Sequence, residues 1–332
     1  MKRVRLFLFL IFAIMVLAIA APWLVNSPPP VALPPLPDPN GYDDFIQAGK
    51  MRIGELDDLR TATEDELRSY VMTNTASLKL MRVGLRRECR VPLDFRLTNA
   101  TTGIHATLKL LVVLLAAEGR FAELEKRPAD AAVSYADAVT FGSRIAKGGT
   151  MIDHLVGVGC QAIGGDSLGK IADKLTQEQL LAFASRVEEA DISGMSWDES
   201  QKITKSHEQR SSSNPIHQAW NWWKFRPSKQ LAKQRVHIQE ARLRMLAAEF
   251  ALRCHRSEKG HPPERLEQLV PKYLQRVPSD PFSGQPLIYR TQGTNWLLYS
   301  VGTDGVDDNG KPVVRSRSGS GAKGDMFFDS PR

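Results

Sequence analysis

The chain has little cysteine, and its cysteines are not spaced for metal or redox chemistry. Its 332 residues include three cysteines, Cys89, Cys160 and Cys254. No two of them form the C-x-x-C pair that zinc sites and thioredoxin-type enzymes use, so neither class is supported. Because the count is odd and the spacings are wide, we expect buried free thiols, with one disulfide as the alternative in an oxidising compartment.

Motifs of common enzymes are absent as well. The sequence contains no H-E-x-x-H, no P-loop and no nucleophile elbow. Residues 157–162 match the G-x-G-x-x-A pattern of dinucleotide sites, but a helical pattern precedes them where such a site needs a strand. These glycines therefore indicate a close helix crossing. His105 and His154 lie on apolar helix faces, which indicates hydrogen-bonded core or boundary positions. We expect no catalytic or cofactor-binding residues.

Charge of one sign is not concentrated in any segment. The formal net charge is +7, and basic residues are interleaved with acidic ones, as in residues 235–242. Nucleic-acid binding requires a concentrated basic stripe with interleaved aromatic residues. We therefore expect no nucleic-acid partner.

The N-terminus carries the pattern of an export signal. Lys2, Arg3 and Arg5 precede an apolar run over residues 6–21. The run continues to Val25, and about 20 apolar residues suffice to span a bilayer. We predict a signal-anchor helix over 1–26, with cleavage after Ala20 as the alternative. The positive-inside rule then makes this a single-pass inner-membrane protein with its bulk facing the periplasm or exterior.

Composition divides the rest of the chain into three parts. Residues 27–40 are rich in proline and predict an extended spacer. Residues 41–227 predict an α-helical domain of antiparallel hairpins, with helices over 64–88, 101–120, 129–147, 151–175 and 177–190. Capping boxes at Thr63 with Glu66 and at Thr176 with Gln179 mark two helix starts. Only one hairpin has tetratricopeptide-like spacing, so a repeat array is not established.

An aromatic cluster lies near the end of the predicted helical domain. It comprises Trp220, Trp222, Trp223 and Phe225. We interpret it as a satellite hydrophobic cluster. An exposed contact for a partner, a carbohydrate or the membrane interface is the alternative.

The C-terminal part, 228–332, predicts a small α+β module. Apolar spacing indicates a long helix over 228–258, which Gly260 and the prolines at 262 and 263 terminate. A short helix follows, marked by Leu266, Leu269, Val270 and Leu274. Two strands are predicted over 286–291 and 296–301, joined by a tight turn. The fold class is thus mainly α, with a membrane helix, a spacer, a helical-hairpin domain and this module.

Three runs of this module resemble a known family. They are residues 261–264, the Val-Pro-Ser-Asp-Pro-Phe-Ser-Gly run at 277–284, and the Tyr-Ser-Val-Gly-Thr-Asp-Gly run at 299–305. In this order they resemble the C-terminal part of the major pseudopilin of type II secretion systems. The resemblance implies a long helix against a small antiparallel sheet, and a bound calcium. The long helix is internal here, whereas that of a pilin begins at the N-terminus. Residues 89–95, 118–120 and 152–157 resemble the helical body of uncharacterised exported bacterial proteins.

The acidic loop after the second strand is the candidate metal site. Asp304, Asp307 and Asp308 crowd a glycine-rich loop, and Asp325 and Asp329 follow a Ser/Gly-rich excursion. The resemblance implies calcium ligands at the Leu298 carbonyl, Ser300 and Asp304, with Asp325 returning from the far side. Calcium prefers such oxygen ligands on flexible loops. A solvated acidic turn is the other interpretation, because the insertion 311–324 is long and basic.

These features together favour a non-catalytic scaffold or interaction protein of the bacterial envelope. The first alternative is an accessory component of a type II secretion or pilus-like system, with envelope or secretion-system proteins as partners. The second alternative is an envelope hydrolase whose site is built from scattered carboxylates.

Overall fold

The computed structural model describes residues 34–93, 101–211, 215–313 and 323–328, with their side chains except at 101–102, 209–211 and 215–228. The predicted signal-anchor 1–26 lies outside the described residues, as do half of the spacer and Asp329. The side chains of the aromatic cluster at 220–225 also lie outside them. In the described part of the chain, no helix is long and apolar enough to cross a membrane.

The described chain is mainly helical, with one small antiparallel sheet. The helices are α1 Gly41–Met51, α2 Glu64–Thr73, α3 Thr75–Arg86, α4 Thr101–Leu124, α5 Pro128–Ala146, α6 Met151–Lys170, α7 Gln177–Ile192, α8 Trp197–Ser211 and α9 Pro215–Lys259. Both predicted capping boxes are present, at Thr63 with Glu66 before α2 and at Thr176 with Gln179 before α7. The predicted helical class and these helix starts are confirmed.

The single helix predicted over 64–88 is wrong, because the chain breaks at Asn74. The Asn74 side chain is buried, accepts the backbone N–H of Ile53 at 2.7 Å and donates to the Ile53 carbonyl at 2.8 Å. It also donates to the carbonyl of Tyr70 at 2.9 Å. Asparagine competes in this way with the helix's own backbone bonds. The break therefore ties α2 and α3 to the loop after α1.

Glycines allow α5 and α6 to cross closely, as residues 157–162 predict. A Cβ on Gly157 would lie 2.4 Å from the backbone oxygen of Gly142, and a Cβ on Gly142 would lie 2.4 Å from that of Gly157. Real Cβ atoms do not approach backbone oxygens this closely. The two helices are therefore in backbone contact at a point where only glycine fits.

Two large clusters of buried side chains form the core. One joins α1 to α4 with one side of α5 and α6. The other joins α5, α6 and α7 with α9 and the C-terminal segment. The stripe predicted on the long helix is buried in this second cluster, including Ala241, Met245, Ala248 and Leu252. The second cluster therefore includes residues on both sides of the predicted boundary at 228.

The C-terminal segment contains the predicted hairpin. Strand β1, Ile288–Gln292, pairs antiparallel with β2, Asn295–Tyr299, around a turn in which Gly293 has φ +63°. Only Leu266–Leu269 forms a short 3-10 turn where the sequence predicts a helix reaching Leu274. Pro271 explains the difference, because proline blocks helix continuation and disfavours helical backbone in the residue before it.

Two carboxylates on α7 hold the C-terminal segment against the helical body. Glu188 is buried and accepts the backbone N–H groups of Gln275 at 2.8 Å and Arg276 at 3.0 Å. Asp191 accepts the side chains of Arg244 at 2.9 Å and Arg276 at 2.7 Å. One short stretch of α7 thus joins α9 and the segment before the hairpin.

The three cysteines are buried and free, as the sequence predicts. Burial raises the pKa of the Cys89 and Cys160 thiols to about 12 and that of Cys254 to about 11. All three thiols are therefore protonated at neutral pH, and a thiolate is the reactive form.

The two histidines on helix faces occupy core or boundary positions. His105 Nε2 lies 2.7 Å from Asp153 Oδ1. His154 is buried, and burial lowers its pKa to about 4, so the ring is neutral. Its Nδ1 has no hydrogen-bond partner among the described residues, which differs from the hydrogen-bonded role expected for it.

Candidate metal site in the acidic loop

The acidic loop begins where β2 ends and is closed by the segment 323–328. Ser300 donates its N–H to the Met326 carbonyl at 3.0 Å and accepts the Met326 N–H at 2.8 Å. Asp325 donates its N–H to the Lys311 carbonyl at 2.7 Å and accepts that of Val313 at 3.0 Å. The segment with Asp325 therefore lies between the end of β2 and residues 311–313. The excursion after 313 returns Asp325 to the loop, as the resemblance implies.

Asp325 is the buried centre of this arrangement. Its side chain is fully buried, and its two oxygens accept the backbone N–H groups of Asp308 at 3.2 Å and Gly310 at 2.7 Å. Burial raises the pKa of this carboxyl, and the charges of Asp307 and Asp308 raise it further, while the two backbone hydrogen bonds oppose the shift. The carboxylate therefore lies in a region of negative charge that a cation would stabilise.

Asp304 accepts a hydrogen bond from the glycine that precedes Asp325. Its Oδ2 accepts the Gly324 N–H at 3.2 Å, and its Oδ1 accepts the Val306 N–H at 3.3 Å. Gly324 precedes Asp325 directly and has φ +111°, a conformation that favours glycine. Asp304 therefore bonds the backbone next to Asp325, while the Asp325 carboxylate itself is bonded by the Asp308 and Gly310 N–H groups.

The Leu298 carbonyl is directed to the same edge of β2. Ser300 uses its N–H and carbonyl to pair with Met326, on the edge away from β1. Backbone groups alternate between the two edges along a strand, so Leu298, two residues earlier, directs its carbonyl toward that edge. This edge is where the segment 323–328 lies.

Ser300 and Asp307 have other partners. Ser300 Oγ donates to Asp280 Oδ1 at 2.9 Å, and its carbonyl accepts Met326. Asp307 accepts the hydroxyl of Tyr299 at 2.9 Å and pairs with Arg290 at 3.2 Å. Asp308 meets Asp325 through its backbone N–H. The Ser300 and Asp307 side chains therefore already have hydrogen-bond partners within the protein, which leaves Asp304 and Asp325 as the main candidate ligand side chains.

The donor set fits calcium in its chemistry. Calcium takes oxygen ligands from carboxylates and carbonyls, and Asp304, Asp325 and the Leu298 carbonyl carry oxygen atoms of this kind. Within the described ranges, no group of three or more His, Cys, Asp or Glu side chains is placed to hold a metal ion. A calcium ion here would therefore depend on backbone carbonyls and water as well as on the two carboxylates.

Asp280 positions the loop, although the sequence does not single it out as a site residue. It is buried, and its Oδ1 accepts the Ser300 hydroxyl and the Phe282 N–H, both at 2.9 Å. Its Oδ2 accepts the Val301 N–H at 2.8 Å. The Asp-Pro-Phe triplet at 280–282 is the available signal, because an aspartate in an apolar run is buried only with partners.

No family model, no curated protein and no solved structure matches the chain. The geometry of the loop and of the helical body therefore carries the functional interpretation.

Proposed function

We propose that the protein is a membrane-anchored, extracytoplasmic scaffold or interaction protein without catalytic activity. The observation that carries this proposal is the packing of the C-terminal module against the helical body. One buried cluster includes both parts, and Glu188 and Asp191 fix the segment before the hairpin to α7. Two parts that pack together offer one continuous surface to partners.

The burial of the apolar stripe of α9 favours this role over that of a filament subunit. The apolar stripe of α9, including Ala241, Met245 and Leu252, is buried against the body of the same chain. Within residues 229–259, where the side chains of α9 are described, this stripe is therefore not available to neighbouring subunits. An accessory role in a type II secretion or pilus-like system is the second candidate, and the hairpin with its acidic loop favours it.

Affinity capture of the anchored full chain from native membranes, after brief crosslinking, tests the proposed function. The matched control is residues 1–40 alone, which keep the predicted anchor and spacer. We expect defined envelope proteins to be enriched by the full chain and not by the control. Equal recovery with both would contradict an interaction role for the folded part.

We further propose that calcium closes the acidic loop through Asp304, Asp325 and the Leu298 carbonyl. Binding to the folded state alone stabilises it by about 2.7 kcal/mol at 100 times the dissociation constant. We expect millimolar calcium to raise the melting temperature by several degrees. Magnesium should act weakly, because it requires a tighter octahedral shell.

Two variants of the loop sharpen the calcium test. Asp304→Ala removes a proposed ligand and should abolish the shift. Asp307→Asn keeps the loop, and we expect it to retain the shift, since Asp307 pairs with Arg290 and Tyr299. If calcium does not change the melting temperature of the wild-type protein, the proposal is wrong and the loop is a solvated acidic turn.

A further inference from the structure

A groove on the helical body is lined by three helices and has no role in the site described above. It has a volume of about 380 Å³ and lies between α3, α5 and α7. On α5 its wall is the stripe Val133, Asp137, Thr140 and Arg144, which repeats every three or four residues. At 1.5 Å per residue this stripe is about 16 Å long.

The floor of the groove is a saturated charge network. Asp137 is buried and accepts Arg82 Nε at 2.9 Å and Arg186 Nη2 at 2.8 Å. Arg82 also donates to Glu118 Oε1 at 3.0 Å, and Ser134 donates to Glu118 at 2.8 Å. Asp137 and Glu118 therefore each have their own partners, while Glu189 of α7 adds an exposed carboxylate to the wall of the groove. This network joins the three helices, and the other arginines of the groove, Arg86 and Arg144, take no part in it.

Two arginines at one end of the groove lack such partners. Arg86 and Arg144 lie in the last turns of α3 and α5. In the described part of the chain, no ion pair or hydrogen bond joins either guanidinium to a carboxylate. Arg82 contacts Asp137, and the Val91 N–H bonds the Lys147 carbonyl at 2.9 Å, so α3 and α5 run in the same direction. Both arginines therefore lie at the same end.

The walls of the groove are partly apolar. Leu85 lies on α3 and Ala190 on α7, while Val133 on α5 is 40% exposed. A guanidinium binds a carboxylate through two parallel hydrogen bonds. Two guanidiniums without a carboxylate partner among the described residues, at one end of a partly apolar groove, complement a chain that carries both carboxylate and apolar side chains. A bare inorganic anion would leave the walls uncovered.

We propose that this groove binds an acidic peptide segment of a partner protein, with a carboxylate held between Arg86 and Arg144. The groove accommodates about five extended residues at roughly 3.3 Å each. The apolar side chains of the segment pack on Leu85 and Val133. This inference rests on the proposed interaction function and specifies the chemistry of the partner.

Fluorescence anisotropy with the full chain in mild detergent tests the groove directly. The probe is a fluorescein-labelled pentapeptide that alternates leucine and glutamate. The control probe has glutamine in place of glutamate and an amidated C-terminus. We expect saturable binding of the acidic probe and about tenfold weaker binding of the control probe, since charge-assisted hydrogen bonds are lost. Equal binding of both probes, or tighter binding of inorganic phosphate, would overturn the assignment.

Paired variants separate a binding role from a structural one. Arginines in a last helical turn also stabilise the helix dipole, so melting temperatures accompany every binding curve. The double variant Arg86→Gln with Arg144→Gln should bind the acidic probe about tenfold or more weakly than the wild-type chain. Arg60→Gln with Arg235→Gln removes the same charge at exposed positions outside the groove and should leave binding unchanged. Equal losses in both pairs would mean general charge attraction and would overturn the proposal.

Capture from native membranes distinguishes failure of the groove from failure of the proposed function. If the wild-type chain enriches partners and the chain with glutamine at positions 86 and 144 enriches the same ones, the groove assignment fails and the interaction role stands. If the wild-type chain enriches none, the proposed function itself fails. If the double variant fails to enrich some of the partners that the wild-type chain enriches, the result supports both the interaction role and the groove assignment.

Discussion

Asp191→Ala is expected to lower the free energy of unfolding by about 3 kcal/mol, because it leaves two arginines without the carboxylate that neutralises them. The Asp191 side chain is only 5% exposed, and it accepts both Arg244 and Arg276. Arg244 keeps its bonds to the Ser279 carbonyl and hydroxyl, which limits the loss. Urea unfolding of the full chain, followed by circular dichroism, measures the change.

Asp173→Ala is the matched control. Asp173 also pairs with an arginine of α9, Arg253, but its side chain is 67% exposed. Exposed ion pairs contribute about 0–1 kcal/mol, so little change is expected. If the two substitutions cost the same, the carboxylates on α7 do not hold the C-terminal module on the body.

Gly157→Ala is expected to destabilise the protein by about 2–3 kcal/mol, because the added methyl group forces α5 and α6 apart. The clash is with the backbone oxygen of Gly142, which cannot rotate away as a side chain can. Thermal and urea unfolding of the variant measure the loss.

Gly159→Ala, two residues along the same helix, should act in the opposite sense. A Cβ on Gly159 meets nothing within 4 Å. Alanine is favoured over glycine within a helix by about 1 kcal/mol, so this variant should be slightly more stable. Destabilisation by both substitutions would point to backbone conformation and not to the helix crossing.

Much of the helical architecture could be predicted from local sequence signals. Capping boxes mark α2 and α7, and Gly157 lies at the predicted close crossing, although its partner Gly142 was not predicted and Gly159 contacts nothing there. The break at Asn74 could not be predicted, because its side chain bonds Ile53, 21 positions away. Likewise α9 begins at Pro215, before the apolar stripe that marks its later turns.

The candidate site was predictable where neighbours in sequence determine it. Asp304 lies in the acidic loop by its local sequence, whereas Asp325 meets the loop only in the fold, where it accepts the N–H groups of Asp308 and Gly310. The partners of Ser300 and Asp307 were not predictable, since Asp280 and Arg290 lie 20 and 17 positions away. The arginine-lined groove depends on the alignment of three separate helices, which no local pattern encodes.

The position of α9 in the chain has a consequence for biosynthesis. Residues are made in order, and Phe183 and Val187 on α7 are synthesised before the part of α9 that shares their cluster. Until residues around 241–252 have emerged, this side of the nascent body exposes apolar surface. Such surface makes incomplete chains prone to aggregation. We therefore expect chains truncated between α7 and α9 to aggregate more readily than the complete chain.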